Sequence, residues 1–430
     1  MAYVLLIIYA IVMLIRPHEW GVLESESSII RNSLVLCMVF FVFHKNKNLA
    51  APQLFLMTMF VLTIFVSVVF AGWIGGGLEQ AELFLRAAFI PFVLISGLVD
   101  TTRRQHVIFI IIIVASLLTV LNGHVQVGDE LGIGLFGNPV YNEGGSLRIT
   151  YLGFLADPND LGMFLVMSIP LILYFKDRMP SILRFTIWGS IGFILYGIYL
   201  TNSRGTLLAI LSLIAFWFWR KYGTTKSLFI GLASSPVLLI VMSSFRAISA
   251  EEESAQGRLD AWYAGIEMLL GSPLFGVGQG AFMEYHRLTA HNSFVLAFAE
   301  LGVIGCFIWV GMLVVTILSL LKIHKQDYLP AGFTCTGLQQ NVMREEAKTA
   351  ITLIYSMIAF MVSGFFLSRT YIPILYLYLA LSAACFGRVL IAFPKLSPES
   401  LYKRGEVVRY TFLCTFGGII VIYLLLRVTL

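Results

Sequence analysis

The residues best suited to chemistry lie near the middle of the chain. His291 and Asn292 stand side by side at the threshold of a long apolar stretch, AHNSFVLAFAELGVIGC. Nine residues after the pair come Gly302 and Gly305, spaced G-x-x-G. An imidazole with an ordinary pKa of about 6.5 accepts a proton from a hydroxyl at neutral pH, so His291 reads as a general base or, more plainly, as an interfacial helix-start residue. Asn292 is placed to orient that ring or to hydrogen-bond a sugar. His286 reads as a loop histidine. The small residues of G-x-x-G would let a second helix approach closely.

Arginines form the second group. Arg204 lies in TNSRGT, a very short turn between two apolar runs, and Arg258 lies in SAQGRLDAW, at the start of a helical pattern. Arg369 occupies another tight turn, LSRTY, and Arg86 sits inside an apolar run, AELFLRAAFIPF. A guanidinium binds phosphate oxygens through two parallel, charge-assisted hydrogen bonds, so several converging at headgroup level would suit a lipid diphosphate. An arginine at mid-membrane costs about 2.5–3.5 kcal/mol on insertion scales and usually faces a cavity or a partner. Simple snorkelling is the competing account of Arg86 and Arg369. Arg246 and Arg287 read as solvated loop charges. In DPND, Asp157 is a helix cap ahead of Pro158, or else, with Asp160, a polar wall of a cavity. GVGQG (Gly276 to Gly280) follows no strand and is a turn rather than a nucleotide loop. No carboxylate cluster has metal-ligand spacing on this face, so neither a metal nor a cofactor is called for.

What must position these residues is a membrane scaffold. Of 430 residues, 58% are hydrophobic and 12% charged, a balance that excludes a soluble globular domain. Apolar segments of roughly span length fall at 2–15, 30–43, 52–72, 81–99, 106–121, 152–175, 184–201, 205–219, 227–243, 292–321, 349–367, 372–393 and 410–428. The expected fold is therefore all-α and polytopic, with about 12–13 transmembrane helices in a single integral-membrane domain, 1–430. Met1 to Leu14 lacks a basic start and a small-residue cleavage site, so it reads as a short first span. Lys and Arg concentrate in alternate loops, which places the N-terminus in the cytoplasm. Two long loops, 122–150 and 244–290, then lie outside. The second carries GRLDAWYAGIEMLLGSP, whose Leu259, Trp262, Ile266, Leu269 and Leu270 have helical spacing and predict an amphipathic helix ending near Gly271 and Pro273. Cys37, Cys306, Cys335, Cys385 and Cys414 show neither paired nor zinc-type spacing. A net charge of +5 reflects loop residues and not a nucleic-acid surface.

His291-Asn292, nine residues, then Gly302-x-x-Gly305 resembles the signature of the O-antigen ligase family, whose superfamily includes O-antigen polymerases and protein O-oligosaccharyltransferases. TNSRGT, GRLDAW…GSPLFGVGQGAF and DPNDLG are similar too, and the resemblance covers roughly 151–321. RPHEW (Arg16–Trp20) resembles a subset associated with exopolysaccharide and exosortase systems. The resemblance implies a metal-independent, inverting glycosyltransferase in the bacterial inner membrane with its active site facing the periplasm. It would take a glycan from undecaprenyl diphosphate and pass it to an acceptor hydroxyl on lipid A–core, another glycan or a protein. It makes His291 the base and Arg204 and Arg258 the diphosphate-binding arginines. Asn292, Arg86, Arg369, Asp157 and Asp160 remain as supporting candidates. A polymerase would differ only in its acceptor. A transporter is the rival of another class, although the internal repeat usual there is absent from this sequence. An exosortase-like protease would need an outward-facing nucleophilic cysteine, which this sequence does not offer.

Overall fold

The computed structural model describes residues 1–21, 28–45, 47–143, 146–243, 249–329 and 335–429, with backbone alone at 143, over 228–243 and 249–255, and at 429. Arg246, part of the 244–290 loop and the side chains of the expected 227–243 span lie outside the described residues. The chain runs through α1 (Ala2–Leu14), α2 (Ser28–Val42), α3 (Pro52–Phe70), α4 (Ile74–Phe84), α5 (Ile90–Leu98) and α6 (Thr102–Gly128). A small antiparallel hairpin follows, β1 (Tyr141–Glu143) with β2 (Ser146–Arg148). Then come α7 (Pro158–Tyr174), α8 (Arg184–Thr201), α9 (Arg204–Ser243), α10 (Ser249–Gly271), α11 (Phe282–Tyr285), α12 (Ser293–Lys325), α13 (Gly337–Gly364), α14 (Pro373–Ala392) and α15 (Arg404–Thr429). Among the described residues, nine helices are long and apolar enough to cross a membrane, and α1 and α2 are shorter apolar helices. The protein is an all-α, polytopic membrane protein.

Several boundaries differ from those the sequence suggests, each for a physical reason. The spans expected at 205–219 and 227–243 are the two helical halves of α9, which meet at a kink at Gly223, where the backbone leaves helical geometry (φ 77, ψ 176). A π-turn at Leu85–Phe89 joins α4 to α5, so the segment expected at 81–99 begins at Ile74. The helix expected to stop at 121 continues to Gly128. Its polar residues Asn122 and Gln126 are fully buried, because the following loop folds back over them. Asn122 Nδ2 donates to Thr150 O (3.3 Å), and Gln126 Nε2 donates to Asn138 O (3.0 Å).

The core is built on α14, α12, α13 and α7. In α14 the run Ile374–Val389 is buried throughout, as befits a central span enclosed by other helices. α12 packs against α3 and α13, and α13 against α7. Contacts sort the helix ends into two sets. The outgoing ends of α1, α6, α8 and α13 meet the incoming ends of α7, α9, α12 and α14. Tyr151 Oη donates to Ile15 O (2.5 Å) at the end of α1, and Gly205 lies against Phe366 beyond the end of α13. At the opposite end, the buried Arg388 of α14 forks onto Glu346 of α13 with two 2.7 Å bonds and reaches Val99 O at 3.0 Å. Lys322, near the end of α12, donates to Ser400 O ahead of α15, while a Cβ on Gly311 would lie 3.6 Å from Thr411 Cγ2. α15 thus climbs beside α12, and its far half reaches α10 at the first end.

Candidate functional site

The first end gathers the chemistry. α12 begins at Asn292, whose Oδ1 accepts from the amides of Phe294 (2.8 Å) and Val295 (3.2 Å). Asn292 is thus the N-cap of the helix, satisfying donors that would otherwise be orphaned. Its role is to fix the direction in which α12 leaves His291. His291 itself holds a left-handed backbone (φ 48), a conformation costly for a residue with a Cβ and concentrated at functional sites. Its half-buried ring makes no hydrogen bond to the described residues. Burial holds its pKa below the usual histidine value. The cations Arg258 and Arg369 push the same way, Asp157 opposes them, and His286 adds a smaller lowering. The imidazole is therefore neutral and proton-accepting at neutral pH.

Three further elements close around it. Ser293 binds the turn that follows α13: its Oγ donates to Leu367 O (2.6 Å) and accepts from Arg369 N (2.9 Å), and Thr370 Oγ1 donates to Ser293 O (2.7 Å). That turn aims Arg369 at the start of α7, where Nε donates to the buried Asp160 and Nη2 lies 3.8 Å from Asp157. Asp157 also caps α7, accepting from Asn159 N at 2.7 Å. DPND is thus the helix cap expected of Asp157, and its two carboxylates face Arg369. α10 supplies the third element. The predicted amphipathic helix is present, with Ala261, Trp262, Ile266 and Leu269 buried and Tyr263, Glu267 and Leu270 exposed. Trp262 Nε1 donates to Ala290 O (3.0 Å) beside His291, and its ring meets Phe365 edge-on at 5.4 Å. Arg258, one turn earlier, is thereby brought to the same end as His291.

Arg204 opens α9 two residues after the left-handed Asn202 that closes α8, and it is partly buried. The turn is held tightly. A Cβ on Gly162 of α7 would come 2.2 Å from Thr206 Oγ1, and one on Gly205 would meet Phe366 at 3.3 Å. Arg86 stands apart from these contacts. It lies in the π-turn, half-exposed, 3.5 Å from Glu82 on its own helix.

The glycine pair does two different things. Gly305 sits where α12 approaches α3, with a Cβ there only 2.9 Å from Thr63 Cγ2, in keeping with a small-residue contact. Gly302 instead breaks α12, with φ 64 and ψ −169. The broken turn pairs with the backbone of 273–278. Val303 N donates to Pro273 O (2.8 Å), Ile304 N to Leu274 O (3.3 Å), Val277 N to Ala299 O (3.0 Å) and Gly278 N to Glu300 O (3.0 Å). Irregular backbone inside a membrane protein is tolerated where another segment satisfies it, and the GVGQG turn performs that service here. Gly276 is required for the same reason: a Cβ would lie 2.3 Å from the Glu300 carbonyl carbon.

Three participants escape a reading by sequence. Glu300, buried at the break, accepts from Phe282 N (3.3 Å) and from Tyr371 Oη (2.9 Å), tying the inserted segment to the Arg369 turn. Its signal was an acidic residue in an apolar span. Ser293 offers no signal beyond its place after Asn292. Arg148 lies in a polar loop, where a charge looks solvated, yet it is buried. Among the described residues, no group of three or more His, Cys, Asp or Glu is arranged to hold a metal ion.

Residues 189–310 match the family model described as O-Antigen ligase. The match spans TNSRGT, Arg258 and the His291 signature, and supports the resemblance read from the sequence. It supports a glycosyltransferase of O-antigen ligase or polymerase type. No curated protein matches the chain.

Proposed function

From an O-antigen ligase-type membrane protein with this arrangement of charges, we propose a glycan ligase. It takes an oligo- or polysaccharide from undecaprenyl diphosphate and transfers it to an acceptor hydroxyl on the periplasmic face of the inner membrane. The observation that carries this reading is the half-buried ring of His291, without a hydrogen bond among the described residues, at the end of the bundle where Arg258 and Arg369 both lower its pKa. A base and an anion-binding field at one end of a helical bundle are what transfer from a lipid diphosphate requires. The clustering of Arg104, Arg178, Lys322 and Arg388 with the opposite helix ends supports the orientation.

In this mechanism Arg204 and Arg258 bind the diphosphate by forked hydrogen bonds. Arg369 contributes charge from behind, since Asp160 and the Ser368 carbonyl already occupy Nε and Nη1. His291 removes the proton from the acceptor hydroxyl as that oxygen attacks the anomeric carbon. The bond from that carbon to the diphosphate oxygen breaks on the opposite side, which inverts the centre. The electron pair leaves on the diphosphate, where guanidinium charge stabilises it. The proton remains on the imidazole until it is lost to water. Asp157 supports the imidazolium so formed.

The test uses purified protein, an undecaprenyl-diphosphate-linked glycan, and lipid A–core or no added acceptor, with products read by mass spectrometry. Glycosylated lipid A–core is expected. His291→Ala should abolish transfer and keep donor binding; loss of binding together with turnover would remove it as the base. Arg204→Lys should lose at least about tenfold in donor affinity, because an ammonium cannot reproduce the fork. Longer lipid-linked chains without acceptor would make the protein a polymerase, and absence of donor binding would return the transporter reading.

A further inference from the structure

Among the described residues, Arg148 is the buried arginine at this end whose side chain bridges two walls of the site. It closes β2, in the loop between α6 and α7, and is 5% exposed. Its Nε donates to Thr201 O at 2.9 Å, and its Nη2 donates to Asn159 Oδ1 at 2.8 Å. The first bond places a cation on the last carbonyls of α8, where the helix dipole favours positive charge. Beside it, Ile149 N donates to Leu200 O (3.2 Å), and Asn202 Nδ2 donates to Ser146 Oγ (2.8 Å). The β2 segment therefore lies along the turn that launches Arg204. The second bond holds Asn159 in the first turn of α7, between Asp157 and Asp160, the two carboxylates that face Arg369. One guanidinium thus spans from the Arg204 turn to the anchor of Arg369.

We propose that Arg148 is a positioning residue for the lipid-diphosphate site: it fixes the separation of Arg204 from the Asp160–Arg369 pair and so sets donor affinity without touching the donor. The inference rests on the ligase reading above and adds a residue to it. A fork is needed because the two acceptors belong to different helices, and a planar guanidinium bonds both at a fixed angle. An ammonium keeps the charge and loses that geometry.

The experiment measures donor binding and transfer with undecaprenyl-diphosphate-linked glycan for the wild type, Arg148→Lys, Arg148→Ala and Asn159→Ala. Arg148→Lys should raise the donor KM about tenfold with kcat at saturating donor little changed. Asn159→Ala, which cuts the same link from the α7 side, should move donor KM in the same direction. Millimolar guanidinium should restore part of the affinity of Arg148→Ala. An unchanged donor KM in Asn159→Ala overturns the proposal, as does a fall in kcat with KM unaltered in Arg148→Lys. If the charge-preserving variant does not fold, the Asn159→Ala result decides alone. Failure of the wild type to bind the lipid diphosphate would instead sink the ligase reading, which separates the two claims.

Discussion

Gly302→Ala tests how the site is built. The residue sits at φ 64, ψ −169, backbone that only glycine occupies without strain, and a Cβ there would lie 2.4 Å from the carbonyl group of Leu274. The obstacle is backbone, so no side chain can rotate away. Holding the present geometry would cost about 1–3 kcal/mol in strain alone. Escaping it means separating 302–304 from 273–274 and losing the bonds from Val303 N and Ile304 N, each worth about 0.5–1.5 kcal/mol. By either route the cost is about 1–3 kcal/mol. A matched control exists in Gly417 of α15, where a Cβ would meet nothing within 4 Å. Gly417→Ala there should be neutral or stabilise by up to about 1 kcal/mol through helix propensity. The assay is unfolding of both variants in mixed detergent micelles, together with transfer activity. Gly302→Ala should unfold much earlier and lose turnover, because the break carries Glu300 and, through Tyr371, the Arg369 turn. Equal stability of the two variants would refute the reasoning and make G-x-x-G an ordinary helix-contact motif.

Three other outcomes follow from the same geometry. The His291 pKa is held down by burial and by Arg258 and Arg369, opposed by Asp157 with a smaller lowering from His286, and a bound diphosphate neutralises the two cations. The neutral base then requires a higher pH in the donor complex, so the acid limb of kcat should lie above that of kcat/KM; coincident limbs would show that the donor does not sit in that field. Glu346→Gln should destabilise by about 3–5 kcal/mol, since Arg388 would be left charged at 3% side-chain exposure, whereas joint replacement by Leu and Met should recover much of the loss. A single variant that unfolds like the wild type would show that water reaches that pair. Asp160→Asn should weaken transfer by loosening Arg369, with the melting temperature reporting whether the effect is local; full activity would remove the Asp160–Arg369 pair from the site.

Much of this was legible in the sequence, because membrane insertion writes itself into composition. Backbone polar groups must be satisfied inside each span, so long apolar helices and their loop charges can be read residue by residue. The helix starts at Pro158 and Ser293 and the α10 helix belong to that category: each depends on local spacing. The tertiary structure decided the rest. It made Asn292 a cap, turned Gly302 from a contact residue into a break, and set Arg86 with Glu82 away from the cluster. It also buried Arg148, Glu300 and Ser293, whose partners lie 11, 53, 71 and 74 residues away in the chain. A polar side chain's role depends on which distant group satisfies it, and that pairing is settled only when the helices pack. A sequence shows which residues can carry charge or break a helix, and packing determines where that capacity is used.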